Sequence, residues 1–231
     1  MNKTEKRLGL TAGISLIIMA VAAGFSYGYV HSSLLTDSPY TTLDNLAAGR
    51  SLFFAGLAGW IIVLITDLVV AISFLRLFRS TSMQGSLITA LLRITYSVLL
   101  GAAIFQLIRI IPQTSLANGP HSMEAAEKVS SYINHFDKIW STGLIFFGVH
   151  LLGLGYLSVK SSFIPGLLGY LLYLGGLSYI FVHSSKQLHL IAPGVLTVIE
   201  NILSLPMALG EILLAIWLIY KGFRNEPGNT K

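Results

Sequence analysis

The amino-acid sequence predicts an all-α protein, a polytopic membrane helix bundle of about six transmembrane helices with both termini on the cytoplasmic side. Three observations predict it. Hydrophobic residues make up 54% of the chain and charged ones only 11%, with a mean hydropathy of +0.72, too little polar surface to cover a water-soluble domain. Six apolar stretches reach the roughly 20 helical residues needed to cross a hydrocarbon core. Most Lys and Arg sit at the ends of those stretches, so the net charge of +5 has a topological origin and nucleic acid is not an expected partner.

The expected spans are 8–30, 52–78, 85–111, 139–159, 163–182 and 194–220, forming a single integral membrane domain over residues 1–231. Lys3, Lys6 and Arg7 precede the first span, a pattern shared with signal peptides. Apolar and aromatic residues nevertheless continue through Phe25, Tyr27, Tyr29 and Val30, which favours a retained helix. Ser161 and Ser162 are placed to cap the fifth span and Pro165 falls in its first turn. Pro193 stands where the sixth span begins, and Pro206 inside it is expected to kink it.

Orientation follows from the positive residues flanking the spans. An inside N-terminus puts Lys3, Lys6, Arg7, Arg76, Arg79, Lys160, Lys221, Arg224 and Lys231 in the cytoplasm. Outside, it leaves Arg50, Lys128, Lys138 and Lys186. In the second outer loop Asn118, Gly119 and Pro120 form a turn, after which Met123, Ala126, Val129, Ile133, Phe136 and Trp140 recur at helical spacing. This predicts an amphipathic helix over about 122–138 that runs into the fourth span. Twenty-two Gly fit close helix approach in lipid, with Gly148, Gly153, Gly155, Gly166, Gly169, Gly175 and Gly176 as expected contact seams. The chain has no Cys, which removes disulfides, thiolate metal sites and cysteine nucleophiles.

Ionisable residues inside a membrane are costly and must face a partner or a wet cavity. Counted from the cytoplasmic ends of their own spans at about 1.5 Å per residue, Asp67 lies roughly 13 Å deep, Arg93 roughly 12 Å, and His150 and Glu211 roughly 15 Å. Four helices thus carry Asp67, Arg93, His150 and Glu211 at one level, and Tyr96 and Tyr173 fall near it. Arg50, Gln106, Arg109, His183 and Glu200 form an outer group, and the two layers together suggest a polar cavity open to the outside. An Asp67–Arg93 pair pinning adjacent helices is expected. Glu211 then needs His150 as its partner or must be protonated.

No nucleotide loop, nucleophile elbow or close metal-ligand pair is readable. His150, Glu211 and Asp67 are acceptable but weakly supported metal ligands, and no cofactor is expected. Trp60, Trp140 and Trp217 are read as core or interface residues. The expected partners are the lipid bilayer and a small polar or amphipathic molecule, or a proton, held in the cavity. The alternatives are an intramembrane enzyme using His150 and Glu211, and a structural or assembly subunit of a membrane complex.

The stretch Phe146-Phe147-Gly148-Val149-His150-Leu151-Leu152-Gly153-Leu154-Gly155-Tyr156-Leu157, followed by Lys160-Ser161-Ser162-Phe163-Ile164-Pro165 and Leu168-Gly169, resembles the central signature of a bacterial multi-pass membrane family. Gly210-Glu211-Ile212-Leu213-Leu214-Ala215-Ile216-Trp217-Leu218, ending in Lys221-Gly222, resembles its C-terminal signature. The family is the domain of unknown function numbered forty-three eighty-six. Asp67 before Leu68-Val69-Val70-Ala71 and Arg93 in the third span also match it. The chain departs from the family pattern at Ile94-Thr95-Tyr96-Ser97, where a Gln is common, and at Gly166, where a basic residue is common. The resemblance implies six helices in a bacterial cytoplasmic membrane and no particular activity.

Overall fold

In the computed structural model, residues 1–117, 119 and 122–224 are described, and every regular element among them is helical. The expected turn residues Asn118 and Pro120, and Lys231 of the charge count, lie outside the described residues. The elements are α1 (Lys3–Ala23), which continues as a π-helix (Gly24–His31) and a last turn α2 (Ser32–Leu34); α3 (Pro39–Ala48); α4 (Arg50–Leu77); α5 (Met83–Ile108) with a 3-10 turn (Ile111–Leu116); α6 (Ser122–Lys160); α7 (Gly166–Leu188); and α8 (Pro193–Phe223). Six of the helices are long and apolar enough to cross a membrane.

Local chemistry sets the helix starts. Asn2 and Glu5 form a reciprocal capping box at α1, each side chain accepting from the other's backbone N–H, and Ser82 accepts from the Gly85 N–H at α5. Both satisfy donors that the first helical turn leaves orphaned. Two expectations fail here. Ser161 bonds back to the Ser158 carbonyl instead of capping the next helix. Pro165 is itself the N-cap of α7, with an extended ψ of 131°, one residue before the helix rather than in its first turn. Pro193 begins α8 as expected. That helix runs on through Pro206, whose ring leaves the Ile202 carbonyl without its usual helical donor.

The six long helices close into a ring in chain order: α1 packs on α4, α4 on α5, α5 on α6, α6 on α7, α7 on α8, and α8 back on α1. The start of α1 and the end of α8 meet on one side, the terminal side, where Lys6 Nζ donates to the Arg224 carbonyl at 2.8 Å. Small residues allow these approaches. A Cβ on Gly148 would stand 2.8 Å from the Gly176 carbonyl oxygen and one on Gly176 would stand 2.7 Å from that of Gly148; Gly155 and Gly169 repeat the arrangement at 2.9 Å. Gly13 meets the Ala215 carbonyl on α8 in the same way, at 2.8 Å. Gly166, expected in a seam, has open space around it.

The outward faces carry Ile61, Ile65, Leu68 and Ile72 on α4, Leu167, Tyr170 and Leu174 on α7, and Val198, Ile202 and Leu205 on α8, all exposed. Arg93, Asp67 and His150 are fully buried. Apolar outside with charge inside is the arrangement lipid requires.

Two features were not expected from the sequence. The eight-residue π-helix at the end of α1 is a rare form. It turns Ser26 toward α4, where its hydroxyl donates to the Gly56 carbonyl at 2.9 Å and Gly59 leaves room for it. The other is α3, capped by Ser38 and resting on α6. Residues 122–138 are continuous with the fourth span in the 39-residue α6. At 1.5 Å per residue α6 is about 58 Å long, almost twice the hydrocarbon thickness of about 30 Å. Ala125, Ala126, Val129 and Phe136 of this extension are buried.

The glycine seam yields a direct test. Gly148→Val is expected to lower stability by about 1–3 kcal/mol, the cost of overpacking a closed contact, whereas Gly166→Val is expected to be close to neutral. Thermal unfolding midpoints of the purified variants in micelles check the difference.

Candidate functional site

Inside the ring, Arg93 of α5 is the hub of a buried network. Its Nη1 donates to Glu211 Oε1 of α8 at 2.7 Å and lies 3.0 Å from His150 Nε2 of α6. Its Nη2 lies 2.8 Å from Asp67 Oδ1 of α4 and 3.6 Å from the Met19 sulfur of α1. The Asp67 Oδ1 contact is off the hydrogen-bond direction, so it is coulombic; the Ser97 hydroxyl donates to the other oxygen, Oδ2. Arg93 Nε has no hydrogen-bond partner among the described residues.

The His150 tautomer follows from its neighbours. Nδ1 lies 2.8 Å from the Thr89 carbonyl oxygen, which can only accept, so Nδ1 carries the proton. Nε2 faces a guanidinium N–H, which can only donate, so it presents its lone pair. The imidazole is therefore neutral and acts as an acceptor. The guanidinium also lies over the Phe147 ring, 5.3 Å from its centroid. A planar fork with five donors suits this role, since it can address several acceptors at once.

The charge count is uneven. Asp67 and Glu211 contribute two carboxylates, Arg93 one cation and His150 none. Among the described residues no second Lys or Arg pairs with either carboxylate. Asp67 is enclosed, whereas Glu211 also lines a cavity of about 260 Å³. Trp60, Tyr96, Trp140, Phe147 and Tyr179 form its aromatic wall, with Met19 and Met207 beside them. An apolar cavity of about 150 Å³ accepts benzene, so this one has room for more than a single ring. Trp140 Nε1 points at Tyr96 Oη, 3.5 Å away. Tyr27 of the π-helix packs on Trp140 with ring centroids 4.7 Å apart.

The structure brings Asp67, Arg93, His150 and Glu211 into contact and sets Tyr96 on the cavity wall. Other expectations are corrected. Glu211 needs neither His150 as its partner nor a proton of its own in order to be paired, because the fork of Arg93 reaches both carboxylates. Tyr173 is not in the group: it is half-buried against Gly155 and beside Tyr170. The inward stripe of α7 runs Leu172, Gly175, Gly176, Tyr179, His183, and Tyr179 stands at the cavity in its place. The period of the α7 glycines carried that signal, since Tyr179 follows Gly175 by four residues and Gly176 by three.

The outer group does not form a layer. Arg50 is exposed over the Phe54 ring, Arg109 holds Gln106 at 3.0 Å and stacks on Tyr132, His183 bonds Ser141 at 2.9 Å, and Glu200 pairs with Lys186 at 2.7 Å. These are separate local pairs, and the cavity wall is aromatic and apolar where a polar one was expected. Trp217 donates to the Phe163 carbonyl at 2.9 Å, away from the cavity. Sequence reasoning missed Ser97, Thr89, Met19 and Phe147, which support the network through ordinary residue types with no signal of their own. As metal ligands, His150, Glu211 and Asp67 are organised around a guanidinium that stands between them, and no metal-binding group of three such side chains occurs among the described residues.

A ring of six membrane-competent helices around a buried ion network defines a multi-pass integral membrane protein. The chain belongs to the family described as Domain of unknown function (DUF4386), whose model matches residues 11–222. It is also similar to a protein of Archaeoglobus fulgidus named "Uncharacterized protein", 28% identical over 167 residues that cover 72% of this chain and 83% of that protein. No solved structure matches the chain.

Arg93→Met strands two buried carboxylates and is expected to cost about 3–5 kcal/mol, the penalty for breaking a buried pair from one side. Replacing the whole set by apolar residues, Asp67→Leu with Arg93→Met and Glu211→Leu, is expected to recover most of that loss. Chemical or thermal unfolding in micelles measures both.

Proposed function

We propose that this protein binds a small amphipathic molecule in the cavity within the helix ring, with the apolar body against the aromatic wall and the polar end at Glu211. It sits in the bacterial cytoplasmic membrane with both termini inside. The single observation that carries the reading is the cavity itself: about 260 Å³ of space bounded by aromatic rings and ending at a buried carboxylate. Binding sites are concave, mostly apolar, and supplied with a few placed polar groups. The orientation rests on the excess of Lys and Arg beside the terminal side.

A second reading has its own support. The network joins α4, α5, α6 and α8, so it also fixes the packing of four helices, as a structural or assembly subunit would need. The two readings separate on the cavity rather than on the ion pairs. Ala20 and Ala208 line the space and take part in none of the pairs.

Purified wild-type protein is expected to carry a low-mass amphiphile, detected by mass spectrometry of a solvent extract. Filling the space with Ala20→Phe and Ala208→Phe should remove it while leaving the unfolding midpoint within a few degrees. Equal loading of the filled variant would contradict the binding reading.

A further inference from the structure

We infer that the molecule held in this cavity is a lipophilic cation, an alkyl or aryl ammonium, that enters from the bilayer between α1 and α8. The inference rests on the binding reading above and names its ligand class. Three independent observations lead to it.

The first is charge. Two carboxyl groups share one guanidinium and a neutral imidazole, so the enclosed network holds one acid more than it has cations, and Glu211 is the acid that reaches the cavity. Arg93 engages only Oε1 of Glu211. In a low-dielectric surrounding a cation beside this second acid holds it ionised and pairs with it, whereas an anionic head group finds no cation left to pair with. Arg93 offers an anion little, because both of its Nη atoms already face Glu211, His150, Asp67 and Met19.

The second is the wall. Five aromatic side chains from four helices border one space with a carboxylate at its end. Ring faces carry negative electrostatic potential, and a cage of aromatic faces is the recurrent way to hold an ammonium without hydrogen-bonding it. Phe147 already uses its ring in this way toward Arg93. Apart from Glu211 and the Tyr179 hydroxyl, a neutral polar head would find few donors or acceptors there: Tyr96 Oη and Trp140 Nε1 face each other, and the remaining wall is largely carbon.

The third is access. On the terminal side α1 and α8 are tightly joined, Gly13 at the Ala215 carbonyl and Gly222 at Leu10. Toward the opposite side, Met19, Ala20 and Ala23 of α1 and Met207 and Ala208 of α8 border the cavity instead. Beyond them α8 leans on α7 through the Glu200–Lys186 pair, while Val198, Ile202 and Leu205 are exposed by 59%, 68% and 63%. Of the residues that border the cavity here, Ala208 is exposed and Ala20 and Ala23 are half-buried, so the edge of the cavity between the two helices faces lipid, a route for a molecule already dissolved in the membrane.

The test uses the full chain in nanodiscs of zwitterionic lipid, titrated by calorimetry against empty nanodiscs with decyltrimethylammonium, decanoate and decyl maltoside. The cation is expected to bind saturably and at least tenfold more tightly than either of the others, and Glu211→Gln should weaken it tenfold or more. Trp140→Leu, on the wall and outside the ion pairs, should weaken it severalfold, and it carries the test if Glu211→Gln does not fold. Comparable binding of all three probes, or a cation affinity indifferent to both variants, would overturn the cation inference and leave the cavity reading standing. Binding of none of the three would overturn both.

Discussion

The guanidinium of Arg93 is the constraint around which the rest of the molecule is arranged. Each charged side chain at the centre of a membrane helix costs about 2.5–3.5 kcal/mol on insertion, and α4, α5 and α8 each carry one. None of the three helices can present its charge to lipid, so all three must rotate their charged faces inward, and Asp67 and Glu211 each come within 2.8 Å of an Arg93 nitrogen. That requirement fixes the rotation of three helices at once. His150, held by the Thr89 carbonyl, fixes α6 as well.

Closing the ring around this centre demands helices that touch closely, which is the role of the small residues. Gly148 with Gly176 and Gly155 with Gly169 bring α6 and α7 to backbone contact, and Gly13 does the same for α1 and α8. Six helices closed in a ring, with no helix through the middle, leave space on the axis. The aromatic residues fill part of it and line the remainder, and Glu211 stands where network and cavity join. Fold and site are thus consequences of one arrangement: the charges that orient the helices also give the cavity its polar end.

The depth of the site was legible in the sequence because helical rise is constant, so counting residues from the charged ends put Asp67, Arg93, His150 and Glu211 at one level. Azimuth was harder to read. Depth alone favoured Tyr173, and only the 3.6-residue period of the α7 glycines distinguishes it from Tyr179. The branching of Arg93 to both carboxylates was invisible for a different reason: one-to-one pairing is the simplest count, and a guanidinium fork exceeds it. The outer residues Arg50, Gln106, Arg109, His183 and Glu200 share a side of the membrane without sharing a centre. Near the interface, water and local partners are within reach, so no energetic pressure gathers them. The π-helix at the end of α1 has no periodic signature, and it arises where Ser26 finds the Gly56 carbonyl across a gap that Gly59 leaves open.

Arg93 and Glu211 act as one unit across the ring, and a double-mutant cycle on folding stability tests that coupling most directly. Arg93→Met, Glu211→Leu and the double variant, unfolded under the same conditions in micelles, give the coupling energy between the two side chains. Contact within a shared buried network predicts a coupling of about 0.5–3 kcal/mol. Losses that simply add, to within a few tenths of a kcal/mol, would contradict the account.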